Sequence, residues 1–391
     1  MIASLQDFTN ELYRTVLDEQ GPCLINTYFS PTSVYLGLLA TMMGSQGRTK
    51  EQIVKAINLD RNIEETKSHD LLSKRMAGLL RPIPRCITGG TTQSVFVIGA
   101  NRMFYSAGLN ISPQYLKDIE RYYGFESEFR HFVEYPERDR YGINCWMSQQ
   151  MAQTVPELMP LGSITPETKF VVINGMYFKG AWAKIFHSNN TKPDCFHLLN
   201  GNEITVNMMY QCRIHAVQYL PCAQARALKV QFRDLNWSML LILPNELHGL
   251  PDALTYLRQP GRLAQIIQGE FKSREVHLYL PRFKICQGHG MNEKKKMTTL
   301  GIYDAFTPGT ADFSPICGNY PLHLDQIRHK ATLFIYEDGV TPGAVSVFSG
   351  DPVHGVPPPD EFRFDHPFFL AIVAQDQVPV FLGHVVEPEV I

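Results

Sequence analysis

Apolar side chains recur every three or four residues at the start of the chain: Ile2, Leu5, Phe8, Leu12, Tyr13 and Val16, with polar residues between them. A stripe of that period lies on one side of an α-helix, so an amphipathic helix is expected from almost the first residue. Ser30-Pro31 precedes Val34, Leu36, Leu38, Leu39 and Met42. A serine cap with proline at the first helical position, then a segment apolar nearly all round, predicts a helix buried at the centre of the molecule. Gly44 and Gly47 end it, and Thr49 is expected to cap the next helix ahead of Lys50-Glu51-Gln52. The first third therefore reads as mainly helical. Beyond about residue 168 the texture changes to short β-branched and aromatic runs: Lys169–Asn174 (KFVVIN), Leu228–Phe232 (LKVQF), Ser238–Leu243 (SMLLIL), His277–Leu280 (HLYL) and Ala331–Tyr336 (ATLFIY). Helices followed by strands, without regular βαβ alternation, predict an α+β fold with largely antiparallel sheets.

One stretch does not fit a packed domain. Between Tyr336 and Phe362 lie four glycines, five prolines and small residues, with Phe348 as the one large apolar side chain. A loop of that length inside a compact domain is uncommon and usually functional or disordered. Strand-like sequence on both sides favours a tethered functional loop.

Composition narrows the functional classes. Of 391 residues, 44% are hydrophobic and 19% charged, which suits a soluble protein with a sizeable core. A formal charge of −2 gives no reason to expect a nucleic-acid partner. No apolar run approaches the roughly eighteen residues of a membrane span, so no membrane partner is expected. The N-terminus lacks the basic start and continuous apolar stretch of a secretory leader, which points to the cytoplasm or to leaderless export to the extracellular space. The eight cysteines (23, 86, 145, 195, 212, 222, 286 and 317) show neither CxxC nor a ladder of close pairs, so mostly free, buried thiols are expected. Sequons stand at Asn110, Asn189 and Asn236, the last placed by its neighbours in a buried strand. HExxH, GxSxG and Walker signatures are absent. Gly288-His289-Gly290 before Glu293 and the lysines 294–296 lacks the third glycine and the Lys-Ser/Thr pair of a phosphate loop. No histidine pair has metal-ligand spacing on one helix. Neither enzyme activity, nor a cofactor, nor a metal is expected.

Blocks from residue 26 to residue 388 resemble the serpin family. Asn26–Ser33 (NTYFSPTS) with Gly44–Thr49 (GSQGRT) is similar to the family's second helix and its exit. Ile143–Trp146 (INCW), then Thr168 and Val171–Trp182 (VVINGMYFKGAW), is similar to its most diagnostic internal block. Leu280–Ile285 (LPRFKI), Leu300–Phe306 (LGIYDAF) and Ala311–Ser314 (ADFS) follow in family order, and His329-Lys330-Ala331 leads into the loop. Phe364–Phe368 (FDHPF) and Phe381–Pro388 (FLGHVVEP) close the chain, whose N-terminus resembles the leaderless ovalbumin-like members. The resemblance implies one domain over residues 1–391, with three β-sheets, eight or nine helices and an exposed reactive loop at 337–362. It also implies a metastable native state. In inhibitory members a serine protease cuts the loop and is acylated. The freed loop then inserts as an extra strand in the large sheet and carries the protease away, distorted. By position, Ser30, Ser33, Asn174 and His329 match the family's polar shutter beneath the strands that open.

Glu337, Asp338 and Gly339 resemble the start of the family's hinge, where a small polar residue, an acidic one and several alanines follow. This chain has Val340, Thr341, Pro342, Gly343 and Ala344 instead. Pro342 would sit on the same face of an inserted strand as Val340 and Ala344, yet it brings no N–H to the ladder. Two readings stay open: a suicide inhibitor, or a non-inhibitory binding or carrier serpin whose insertion Pro342 impairs. Family spacing from Glu337 places the scissile bond at Val353–His354. Phe348–Ser349 is the alternative, and counting back from Phe364 gives Val356–Pro357, where proline after the bond blocks most serine proteases. From Glu337 to Phe362 there is no lysine or arginine for the acidic pocket of a trypsin-like enzyme. An elastase-like or chymotrypsin-like partner is therefore expected. Lys74-Arg75, Arg81 and Arg85 are too sparse for heparin binding, and a monomer is expected.

Overall fold

The computed structural model describes residues 2–59, 73–74, 95–151, 157–285, 291–339 and 359–391. The helices that fall wholly among them are α1 (Ile2–Gln20), α2 (Pro31–Met43), α3 (Gly47–Ala56), α4 (Pro113–Tyr123), α5 (Pro136–Gln150), α6 (Leu250–Leu257), α7 (Arg262–Gln268), α8 (Glu293–Thr299) and α9 (Ser314–Cys317). The strands are β1 (Thr27–Phe29), β2 (Val95–Ser106), β3 (Glu126–Arg130), β4 (Phe170–Gly180), β5 (Lys192–His197), β6 (Glu203–Leu220), β7 (Ala225–Gln231) and β8 (Trp237–Pro244). They continue as β9 (Lys272–Ile285), β10 (Met291–Asn292), β11 (Gln326–Ile335), β12 (Asp360–Arg363), β13 (Phe368–Ala374), β14 (Val378–Val385) and β15 (Glu389–Val390). The class is α+β, as expected.

The N-terminal stripe buries Leu5, Phe8, Leu12, Tyr13 and Val16 of α1. Ser30 caps α2 by accepting from the Ser33 N–H, Pro31 occupies the first turn, and every residue from Pro31 to Met42 is buried. That helix lies against α1, α4, β4 and β14, which accounts for its lack of a polar face. One expectation fails nearby. Thr49 is not a cap: α3 begins at Gly47 with Gln46 before it, and Thr49 Oγ1 instead accepts from the Asp312 N–H at 3.0 Å. Among the described residues the first third is mainly helical, as expected, although β2 within it is a strand of twelve residues. Asn236 is not in a strand. It is exposed in the turn before β8, with its N–H on Asp234 Oδ1 at 3.0 Å.

The ladders form one continuous path, β1-β14-β13-β8-β7-β6-β9-β11-β4-β2-β3, with β5 on β6, β10 on β11, and β12 and β15 on β9. The implied sheets thus run into one another at β9 and β11. Most pairings are antiparallel; β2–β3, β12–β9 and β11–β4 are parallel. In β4 every side chain but Lys179 is buried, because alternate residues serve two cores. Phe170, Val172, Met176 and Phe178 join the main core. Val171, Ile173 and Tyr177 face a second core with Ile143 and Met147 of α5. A strand covered on both faces reads as a continuous apolar run, which is why KFVVIN stood out in the sequence.

Gly383 shows how closely β1 and β14 approach. A Cβ there would lie 1.8 Å from the Thr27 carbonyl oxygen, a backbone atom that cannot swing aside. Gly383→Ala is expected to cost about 3 kcal/mol, read as a lower urea midpoint; a cost below about 1 kcal/mol would show that β1 is free to move.

Candidate functional site: the β4–β11 seam and the two loop roots

At the centre of the molecule β11 runs parallel to β4, in register from Gln326↔Val171 to Thr332↔Tyr177. His329 and Asn174 are partners across this seam. Beneath it the capped start of α2 brings up Ser30 and Ser33, so all four predicted shutter positions meet, each wholly or almost wholly buried. The Ser30 N–H donates to His329 Nε2 at 2.9 Å. The Ser30 hydroxyl donates to the Val380 carbonyl at 2.7 Å and accepts from the Ser33 N–H at 3.1 Å. Asn174 Nδ2 donates to the Ser33 carbonyl at 3.3 Å and lies 3.4 Å from Asn101 Oδ1 on β2. Asn101 completes the cluster as the β2 partner of Asn174, and nothing in its local sequence marks it. Inside a low-dielectric core these few bonds hold α2 to both strands at once.

Because His329 Nε2 accepts a backbone N–H, the neutral ring carries its proton on Nδ1. Burial, reinforced by the neighbouring Lys330 charge, pushes its pKa down to about 3. Burial likewise holds His215 and His384 at about 4.

Above the seam the chain reverses. The Tyr336 N–H donates to the Gly339 carbonyl at 2.7 Å and the Gly339 N–H returns to the Tyr336 carbonyl at 3.1 Å, with Glu337-Asp338 at the corner. Gly339 has φ +142°, and a Cβ there would sit 2.1 Å from the Gly180 carbonyl oxygen, so only glycine fits. Gly339 is also bridged antiparallel to Ala181, the residue after β4. The Trp182 and Phe186 N–H groups donate to the Asp338 and Glu337 carbonyls, both at 2.9 Å. The Trp182 indole, stacked on Phe232, donates to the Tyr336 carbonyl at 3.0 Å. Glu337 Oε1 accepts from the Thr191 hydroxyl at 2.8 Å and faces Arg282 at 3.5 Å. Of these contacts Trp182 and Arg282 stood within blocks already singled out, but no local pattern tied them to Glu337.

The other root is β12, parallel to β9. Asp360 accepts from the Tyr219 hydroxyl at 2.7 Å, Arg226 donates to the Glu361 carbonyl at 2.8 Å, and Arg363 pairs with Asp194 at 2.7 Å. Val340, Thr341, Pro342, Gly343, Ala344, Phe348, Ser349, Val353 and His354 lie outside the described residues. Elsewhere, a cleft between α1, α7 and β14, bordered by Asn10, Leu263, Ile267 and Pro379, encloses about 20 Å³, the room of one water.

A family model described as Serpin (serine protease inhibitor) matches residues 3–388. The leukocyte elastase inhibitor of Xenopus tropicalis is 28% identical, with 93% of each chain covered. The leukocyte elastase inhibitor A of Mus musculus is 29% identical, with 97% of each covered. Uncleaved ovalbumin has the same fold, with a TM-score of 0.84 at 23% identity over 99% of both chains.

The buried histidines set an acid limit. His329 is held neutral in the folded chain, so its contribution is complete above the ordinary pKa of 6.5 and is lost as pH falls toward about 3. The slope is about 1.4 kcal/mol per pH unit for each such histidine. Urea midpoints from pH 7 to pH 4.5 are expected to fall more steeply for the natural chain than for His329→Gln; parallel profiles would contradict a neutral His329.

Proposed function

The chain belongs to the serpin (serine protease inhibitor) family, and from that premise we propose that it inhibits serine proteases by suicide-substrate trapping, with residues 337–362 as the reactive loop of a single domain. The observation that carries this reading is the antiparallel bridge of Gly339 to Ala181 at the mouth of a parallel β4–β11 seam. The turn at Tyr336–Gly339 has already reversed the chain, so a loop arm freed by cleavage starts out antiparallel to both seam strands. An antiparallel strand placed between them gains well-aligned ladders on both edges in exchange for one slanted parallel ladder.

Length supports a cut at Val353–His354. The arm Val340–Val353 has fourteen residues, at about 3.3 Å each, enough to run beside the eleven of β4. A cut at Phe348–Ser349 leaves nine. On this reading Glu337–Ala344 is the hinge, and Ser30, Ser33, Asn174 and His329 are the shutter that must exchange partners as the seam opens. The names of the relatives, with the lack of any lysine or arginine from Glu337 to Phe362, favour an elastase-like or chymotrypsin-like target.

The non-inhibitory reading rests on Pro342. One missing ladder bond costs about 1 kcal/mol, small against a whole strand, so the proline acts on the speed of insertion more than on its outcome.

Incubation with leukocyte elastase and with chymotrypsin is expected to give complexes that survive denaturing electrophoresis, and trypsin none through this loop. Pro342→Ala should raise the trapped fraction at the expense of cleaved, free inhibitor. Loop cleavage without any complex, in both the natural chain and Pro342→Ala, would decide for the non-inhibitory reading.

A further inference from the structure

Arg282 stands between the hinge turn and Ile391. On β9, opposite Asn207 of β6, its Nε and Nη2 donate to the Ile391 carbonyl oxygen at 3.1 and 2.8 Å. Its Nη1 faces Glu337 Oε1 at 3.5 Å. Asn207 Nδ2 donates to the same Ile391 oxygen at 3.2 Å, and Glu389 and Val390 pair with Lys284 and Phe283 of β9.

The guanidinium is a rigid planar fork. Once Ile391 engages the edge formed by Nε and Nη2, the direction of Nη1 is fixed, and it points at the hinge carboxylate. The Glu337 side chain is 14% exposed and that of Arg282 31%, so the pair is more sheltered from solvent than an ordinary surface ion pair.

We propose that the segment Glu389–Ile391 is a positioning element for the hinge, holding Glu337 and hence the turn Tyr336–Gly339 in place through Arg282. That segment therefore sets how readily the turn lets go of β4. Its bearing on protease trapping rests on the function proposed above; the coupling itself does not, and it is measurable without any protease.

The Trp182 and Phe186 amides report the turn directly, because both donate to hinge carbonyls. Deleting residues 389–391 from the full chain is expected to speed hydrogen exchange at these two amides about tenfold, the scale of one charge-assisted hydrogen bond. In an Arg282→Ala background, where the relay is already cut, the deletion should add nothing. If Arg282→Ala folds poorly, Arg282→Lys serves in its place, since an ammonium cannot present two donor edges. Exchange at Leu370 in the buried strand β13 should stay unchanged, which separates local release from general loosening. The proposal is overturned if the deletion leaves the hinge amides as they were, speeds them equally without Arg282, or speeds Leu370 in step with them.

Discussion

Two long strands lie side by side and parallel in the middle of this molecule, although neither follows the other closely in the chain. β4 and β11 satisfy each other's inner edges by slanted bonds, while their outer edges belong to β2 and to β9 and β10. Much of the structure makes sense as support for this seam. α2 lies under it, its start polar at Ser30 and Ser33 where an ordinary core helix would be apolar. α5 lies over β4 and β2 with a core of its own. The turn at Tyr336–Gly339 ties the end of β11 to the end of β4.

Besides the ladder itself, the side-chain bonds that tie the seam to α2 are few and replaceable. Ser30, Asn174 and His329 hold it through a backbone N–H, a carbonyl and an amide rather than through packed hydrocarbon. Polar contacts of this kind contribute about 1 kcal/mol each, and exchanging one for an equivalent contact costs little. On the function proposed above, a loop that entered afterwards would make a ladder on each side. On the proposed mechanism, Pro342 weighs on the rate at which that exchange begins.

Elements whose pattern is local were legible in the sequence. α1 and α2 follow from a helical stripe and from Ser30-Pro31, and β4 from an apolar run covered on both faces. β2 was not legible, because Gly99, Asn101 and Arg102 interrupt its apolar run. Two of those residues are settled only by distant partners: Asn101 beside Asn174, and Arg102 between Glu128 and the Trp146 ring. The start of α3 escaped because Gly47, with φ +55°, opens the helix two residues before Thr49. The site divides in the same way. Ser30, Ser33, Asn174 and His329 were found through family blocks, since no spacing rule joins residues 299 positions apart such as Ser30 and His329. Asn101, Thr191 and Ile391 carry no local mark, and Arg282 reads as one more outward residue of a strand until the fold sets it beside Glu337.

Trapping requires that the seam accept the loop. The direct measurement is the urea resistance of the chain before and after a single cut in the loop. If the freed arm inserts between β4 and β11, the nicked protein, with more ladder bonds than the intact one, resists several molar more urea. A nicked protein that unfolds at the same or a lower concentration has kept its seam closed, and the trapping mechanism does not operate in this chain.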